Sequence, residues 1–376
     1  MLRKLSACLV VGLLAFGGSV LAQEQVLPTS EDTTWVCPEG FRGQSMTLYN
    51  WTDYINTDTI THFETLCDVT VNLENYGSND ELIAKLRLGN PGYDVVVPTG
   101  NIIPVMIREE LLEPLDLSMI PNFETNISEF LQGPEYDPEN MYTVPYQWGM
   151  IGVGYNRAAV GGEIVTWEDV WNYEGNVAWV EEPDAILGFA LRILGYDPNT
   201  SDPEEITAAR DYLMDNGGNV RTIAQGDGRL RLQSGEVDIV IAYNGEILRV
   251  QKECNENPSL GCENELDFVI PEEGGLIWVD NLSIPVDAPN PALAHAFLDY
   301  MLDPVVSAVN SNLTAYATPI QPAIDDGLIL EEFLTSPLVY PDDTVTARLF
   351  SLADGGDDWK RLRLDAWDEI KVALGQ

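Results

Sequence analysis

The apolar positions switch period along the chain. Residues 44–49 alternate polar and apolar, with Met46 and Leu48 between Ser45, Thr47 and Tyr49, and predict a short strand. Residues 56–66 then take helical spacing, with Ile60, Phe63 and Leu66 on one side. A second strand is expected over 68–73. Ser78 and Glu81 form a capping box for a helix to Leu88, with Leu82, Ile83, Leu86 and Leu88 inward. Residues 92–99 read as a buried strand, and 101–110 as a helix with Pro104 in its first turn. Such alternation predicts an α/β fold with parallel strands and helices on both faces.

The pattern changes at residues 141–154, which are aromatic, then glycine-rich and apolar, and read as a strand leaving one lobe for another. Beyond it, strands are expected at 176–180, 237–242 and 266–270. Helices are expected from Thr166, over 185–194, from the Asp202 cap with Pro203, and over 228–234. Residues 274–285 read as a strand running back to the first lobe. Asn290-Pro291 and Asp303-Pro304 each open a helix. The tail, 357–374, is a helix with Trp359, Leu362, Leu364, Trp367 and Ile370 as its apolar stripe. A chain of 376 residues exceeds one ordinary core. We expect lobe 1 over 45–148 plus 276–322 and lobe 2 over 149–275 plus 323–376.

Composition narrows the classes. Arg3 and Lys4 precede an apolar run from Leu9 to Phe16, and Val20-Leu21-Ala22 suits cleavage, so residues 1–22 read as a secretory signal peptide, followed by an extension over 23–44. That run is too short to span a membrane. Asp and Glu number 61 against 19 Lys and Arg, a net charge of −42, which a lost leader makes more negative by two. Nucleic acid and anionic membranes would be repelled. A cationic ligand and a saline habitat both account for such a surface, and the spread of acids along the whole chain favours the habitat for most of it. Four cysteines lie beyond the leader. Cys254 and Cys262 are close in sequence and are paired here, leaving Cys37 with Cys67; the other connectivities stay open. With His62 and His295 as the two histidines and no Cys-x-x-Cys, no metal site is expected, and no cofactor motif is present.

Acids recur beside aromatics where strands end: Trp51 and Asp53, Glu182, Tyr243 and Glu246, Trp278 and Asp280. The plainer reading makes the tryptophans core residues, Glu182 a solvated turn and Glu246 a first-turn acid favoured by the helix dipole. The conjunction points elsewhere. Carboxylates converging in a cleft repel one another and rise in pKa unless a multivalent cation arrives. A diamine fits, its ammonium groups on the acids and its alkyl spine between Trp51, Tyr243 and Trp278. Signatures of serine hydrolases, zinc proteases, phosphate loops and dinucleotide binding are missing. A secreted glycoside hydrolase using two carboxylates is the enzyme alternative.

Tyr49-Asn50-Trp51-Thr52-Asp53-Tyr54, residues 93–98, residues 272–280 and Tyr316-Ala317-Thr318-Pro319 resemble the periplasmic spermidine/putrescine-binding proteins, receptors of polyamine ABC importers. The resemblance runs in order from about Ser45 to the C-terminus. It implies a two-lobed type II periplasmic-binding fold with mixed sheets and an interlobe hinge, and a monomeric receptor in the periplasm. It implies a polyamine ligand, a membrane permease as partner, and no catalysis. It implies a ligand site of Trp51, Thr52, Asp53, Tyr54, Thr99, Glu182, Tyr243, Glu246, Trp278, Asp280 and Tyr316. Trp278 is similar to the family's stacking aromatic and Asp280 to its amine-holding acid. Departures are Asn101, where a tyrosine is expected, and Ala185, where a second acid is expected unless Asp184 replaces it. They leave diamine, triamine and another cation open. A signalling receptor would look the same in sequence.

Overall fold

The computed structural model describes residues 25–262 and 265–376. The leader expected at 1–22 lies outside them. Two sheets organise the chain. The first has three parallel strands in the order β2-β1-β3: β1 (Ser45–Trp51), β2 (Thr70–Tyr76) and β3 (Val95–Val96). β1 and β2 run in register from Ser45 opposite Thr70 to Trp51 opposite Tyr76, so the aromatic pair marks the shared carboxyl edge. The helix Thr57–Cys67 connects them, with Asn56 Oδ1 accepting from Asp58 N. Asn79–Arg87 follows β2, capped by Ser78.

The second sheet is mixed and built on β4 (Val144–Asn156), thirteen residues and nearly all buried. After it come β5 (Val177–Val180), β6 (Val220–Ala224), β7 (Ile239–Tyr243), β8 (Leu266–Val269), β9 (Gly275–Leu282) and β10 (Leu349–Phe350). The order is β10-β9-β4-β7-β5-β6, with β8 also on β4. β5, β6 and β7 are mutually parallel, while β4 runs antiparallel to β7, β8 and β9. β9 reaches both sheets. It pairs with β4 from Leu276 to Leu282, and Thr99 bridges Asp280 while Val96 bridges Ser283. The carboxyl ends of β1–β3 and of β5–β7 are where ligand sites of open α/β sheets form.

Several expectations shift in detail. The strand expected at 92–99 shrinks to Val95–Val96 because side chains take over its pairing: Asp94 Oδ2 accepts from Thr47 N at 2.8 Å and Oδ1 from Asn290 N at 2.6 Å. The helix expected from 101 is a 3₁₀ turn followed by Ile103–Arg108. Leu66 and Leu88 face outward, at 38% and 91% exposure. Cys67 takes the inward place that Leu66 was expected to hold, because it is bonded to Cys37. β6 went unread: its Val-Arg-Thr-Ile-Ala is half-buried at a sheet edge and too polar to stand out. In the C-terminal helix Gly356–Leu374, Leu364 is exposed and Arg363 is fully buried in its stead. Arg363 lies over the Trp359 ring at 4.3 Å and donates to the Asp184 and Pro198 carbonyls. A guanidinium held by two carbonyls and a ring, its Nε without a hydrogen-bond partner among the described residues, completes the stripe that apolar spacing alone assigned to leucine.

Both expected disulfides form, Cys37–Cys67 and Cys254–Cys262. The first ties the N-terminal extension to the end of the first helix. Trp35 packs there on Phe63 and Tyr300 and donates its indole N–H to Asp299 Oδ2 at 2.7 Å. Among the described residues no single helix is long and apolar enough to cross a membrane. The apolar helices Pro291–Met301 and Pro304–Thr314 are bent 73° from each other and buried in the fold.

Candidate functional site

Asp280 is the best-defined member. It sits on β9, 6% exposed, opposite Gln147 and bridged to Thr99. The Thr99 hydroxyl donates to Asp280 Oδ1 at 2.6 Å, and Asn79 Nδ2 donates to Thr99 Oγ1 at 3.1 Å. The buried Tyr54 hydroxyl faces the same carboxylate and favours its charged form, but stops short of a full hydrogen bond. Burial outweighs these donors, pushing the carboxyl up to about 7, and the nearby Glu182 adds to the rise. Among the described residues no cation offsets it.

Glu182 caps the parallel strand β5, immediately before the helix Pro183–Ile193. It accepts from the Tyr243 hydroxyl at 2.7 Å. Burial holds it at about 7 as well; Tyr243 and Lys360 pull it down, Asp184 and Asp80 push it up. Lys360, from the C-terminal helix, donates to Asp184 Oδ2 at 3.0 Å. Asp184, the candidate substitute for a second acid, therefore already holds a resident ammonium. Glu246 lies one turn beyond β7, also raised to about 7 by burial, with Arg229 and Arg249 opposing the rise and Asp227 and Asp53 adding to it.

The rings form a box. Trp278 meets Tyr316 edge-on at 4.9 Å between centroids and Tyr243 at 5.9 Å, with Tyr54 at 6.4 Å. Tyr54 meets Tyr316 at 5.6 Å. In each edge-to-face contact the positive edge of one ring meets the electronegative face of the other. The Trp278 indole N–H and the Tyr54 hydroxyl are buried without a hydrogen-bond partner among the described residues. Trp51 belongs to a neighbouring pair: its ring lies on Tyr76 at 4.5 Å, and its indole N–H donates to the Val97 carbonyl at 2.9 Å, two residues before Thr99.

Thr52 and Asp53 differ from the rest. Both are exposed, and Asp53, at φ 55°, points its carboxylate to Arg229 at 3.5 Å. Arg229 belongs to the short helix Gly228–Gln233 after β6, so this ion pair joins the ends of the two sheets.

Residues the sequence reading did not single out shape the box. A Cβ on Gly149 would lie 2.6 Å from the Trp278 ring and 3.0 Å from Tyr316; one on Gly245 would lie 2.4 Å from Tyr316. A glycine inside a strand is a signal of close approach, and Gly149 sits between Trp148 and Met150 of β4. Tyr146 donates to the Tyr54 carbonyl at 2.7 Å, and Asn244 Oδ1 accepts from Met150 N at 2.9 Å. Arg229 and Lys360 carried no sequence signal as site members. Among the described residues no cluster of acids, histidines and cysteines has the geometry of a metal site.

Fold and site together define a two-sheet α/β chain with acids and aromatics converging at strand ends. The bacterial extracellular solute-binding protein model matches residues 58–333, and the chain belongs to that family. It is 30% identical over 338 residues to the putrescine-binding periplasmic protein SpuD of Pseudomonas aeruginosa, covering 86% of this chain and 91% of that one. It is 31% identical over 299 residues to the spermidine/putrescine-binding periplasmic protein of Escherichia coli, 78% and 82% of the two chains. The crystal structure of the spermidine/putrescine ABC transporter substrate-binding protein PotD of Streptococcus pneumoniae superposes with a TM-score of 0.76 at 29% identity, over 88% of this chain and 100% of that one.

Proposed function

We propose that this chain is an extracytoplasmic receptor for a polyamine, putrescine or spermidine, which it hands to a membrane permease of an ABC importer. The observation that carries this reading is Asp280: a buried carboxylate walled by aromatic rings, held by a threonine hydroxyl, with no counter-cation among the described residues. Such a group is costly to charge unless an ammonium arrives. Trp278, Tyr243, Tyr316 and Tyr54 provide faces for the ligand's methylenes and cationic ends, and Glu182 is the second acid of the site. Thr99 orients Asp280, and Trp51 walls the first-sheet side. Glu246 joins as a third acid, shared with Arg229. Thr52 and Asp53 form the rim.

The mechanism is closure without covalent chemistry. Lobe 1 (45–148 plus 276–322) and lobe 2 (149–275 plus 323–376) contribute different walls, and β4 and β9 are the segments that pass between them. A ligand touching both lobes favours the closed state by its differential contacts. The receptor acts as a monomer in the periplasm. The names of the relatives support the polyamine class, and the signal-like residues 1–22 support export.

Titration calorimetry with putrescine and with spermidine tests the reading. Saturable one-to-one binding of either, lost in Asp280→Asn, is the expected result. Silence with both, alongside hydrolysis of a glycan, would transfer the two acids to the glycosidase alternative.

A further inference from the structure

Arg229 and Asp53 come from different sheets and meet at the mouth of the site. Arg229 follows β6 in the second sheet, with its side chain 16% exposed; Asp53 follows β1 in the first, with its side chain 64% exposed, and the two are 3.5 Å apart. Asp53 adopts a left-handed conformation that turns the tip back on itself, a geometry short Asp and Asn side chains tolerate. On its inner side Arg229 also faces Glu246 and Tyr316, so the guanidinium sits between the ligand box and the rim.

We infer that Arg229 is a positioning residue that clasps the two lobes through Asp53, and that Asp53 therefore serves closure rather than holding a ligand amine. The inference rests on the receptor reading for its purpose, but the clasp itself exists whether or not the ligand is a polyamine. A resident cation on Asp53 removes the uncompensated charge that would draw an ammonium there. The same contact adds interlobe attraction in the closed form alone, which slows opening. Its strength is that of a half-exposed ion pair, so it tunes release and does not dominate affinity.

The test is a spin-label distance measured between the lobes of the full-length mature protein, without ligand, in low and high salt. Wild type, Asp53→Asn, Arg229→Gln, Arg229→Lys and the double variant are compared. Each neutral single variant is expected to deplete the short-distance population by about two- to fivefold at low salt. The double variant should lose no more than either, Arg229→Lys should retain most of it, and high salt should level all of them. Unchanged distances in both neutral variants overturn the clasp. Stopped-flow release of putrescine adds a readout of opposite sign. A clasp predicts release about two- to fivefold faster in Arg229→Gln. If Arg229 instead blocks an amine-holding Asp53, the same variant binds the diamine more tightly, and the inference falls. Wild type that binds no polyamine defeats the receptor reading, while the ligand-free distances still decide the clasp.

Discussion

Asp280 and Asp53 are both acids beside an aromatic at the end of a strand, and they do opposite things. Asp280 is buried, ringed by Trp278, Tyr54 and Tyr316, and among the described residues meets hydroxyls but no cation. Asp53 is exposed and answered by Arg229. Burial raises the cost of charge, and the missing counter-ion leaves that cost for a ligand to offset. Exposure and a partner leave Asp53 little to gain. Side-chain type marks a candidate; solvent access and the resident counter-charge decide whether it holds a guest.

The contrast is broken most forcefully at Asp280. Asp280→Asn is expected to weaken polyamine binding by about 2–5 kcal/mol, the loss for truncating one side of a buried charge pair, read by calorimetry. A loss no larger than that of Asp53→Asn erases the distinction. Gly149→Leu should come next. Its side chain would enter space held by Trp278, Tyr316 and Asn244, so binding should fall at least tenfold, read by calorimetry.

The pH profile tests the buried acids without mutation. Asp280 and Glu182 sit at about 7, against ordinary values of 3.8 and 4.5. A dication needs them charged, so affinity should fall by up to about tenfold per pH unit per acid below 7, and level off above it. Stability of the ligand-free protein should run the other way. Between about pH 4 and 7 the folded chain holds protons at these acids that the unfolded chain has released, so stability declines as pH rises through that window. Saturating ligand should flatten the decline, and thermal unfolding across pH would detect it.

Ring removal is smaller. Trp278→Ala, which opens the box on three tyrosines, should cost more than Trp51→Ala, whose ring rests on Tyr76; about 0.5–2 kcal/mol per cation–ring contact sets the scale. Asp53→Asn is the mildest: under about 1 kcal/mol, and absent at high salt because the pair is exposed and screened.

Local pattern carried much of this molecule. The capped helices at Ser78 and Asp202, the acids at strand ends, the long β4 and the disulfide pairing of Cys254 with Cys262 are all sequence-local, because caps, periodicity and short loops depend on neighbours within a few residues. The aromatic-acidic stretch Trp51 to Tyr54 and the Trp278–Asp280 pair were legible as candidates for the same reason. What tertiary structure alone decided were distances between segments far apart in the chain. It put Arg229 on Asp53, Lys360 on Asp184 and Arg363 into the stripe where Leu364 was expected. It also left Asp280 without a counter-ion among the described residues. A sequence lists charges but not which of them cancel, since cancellation depends on a few ångströms and on how much water lies between.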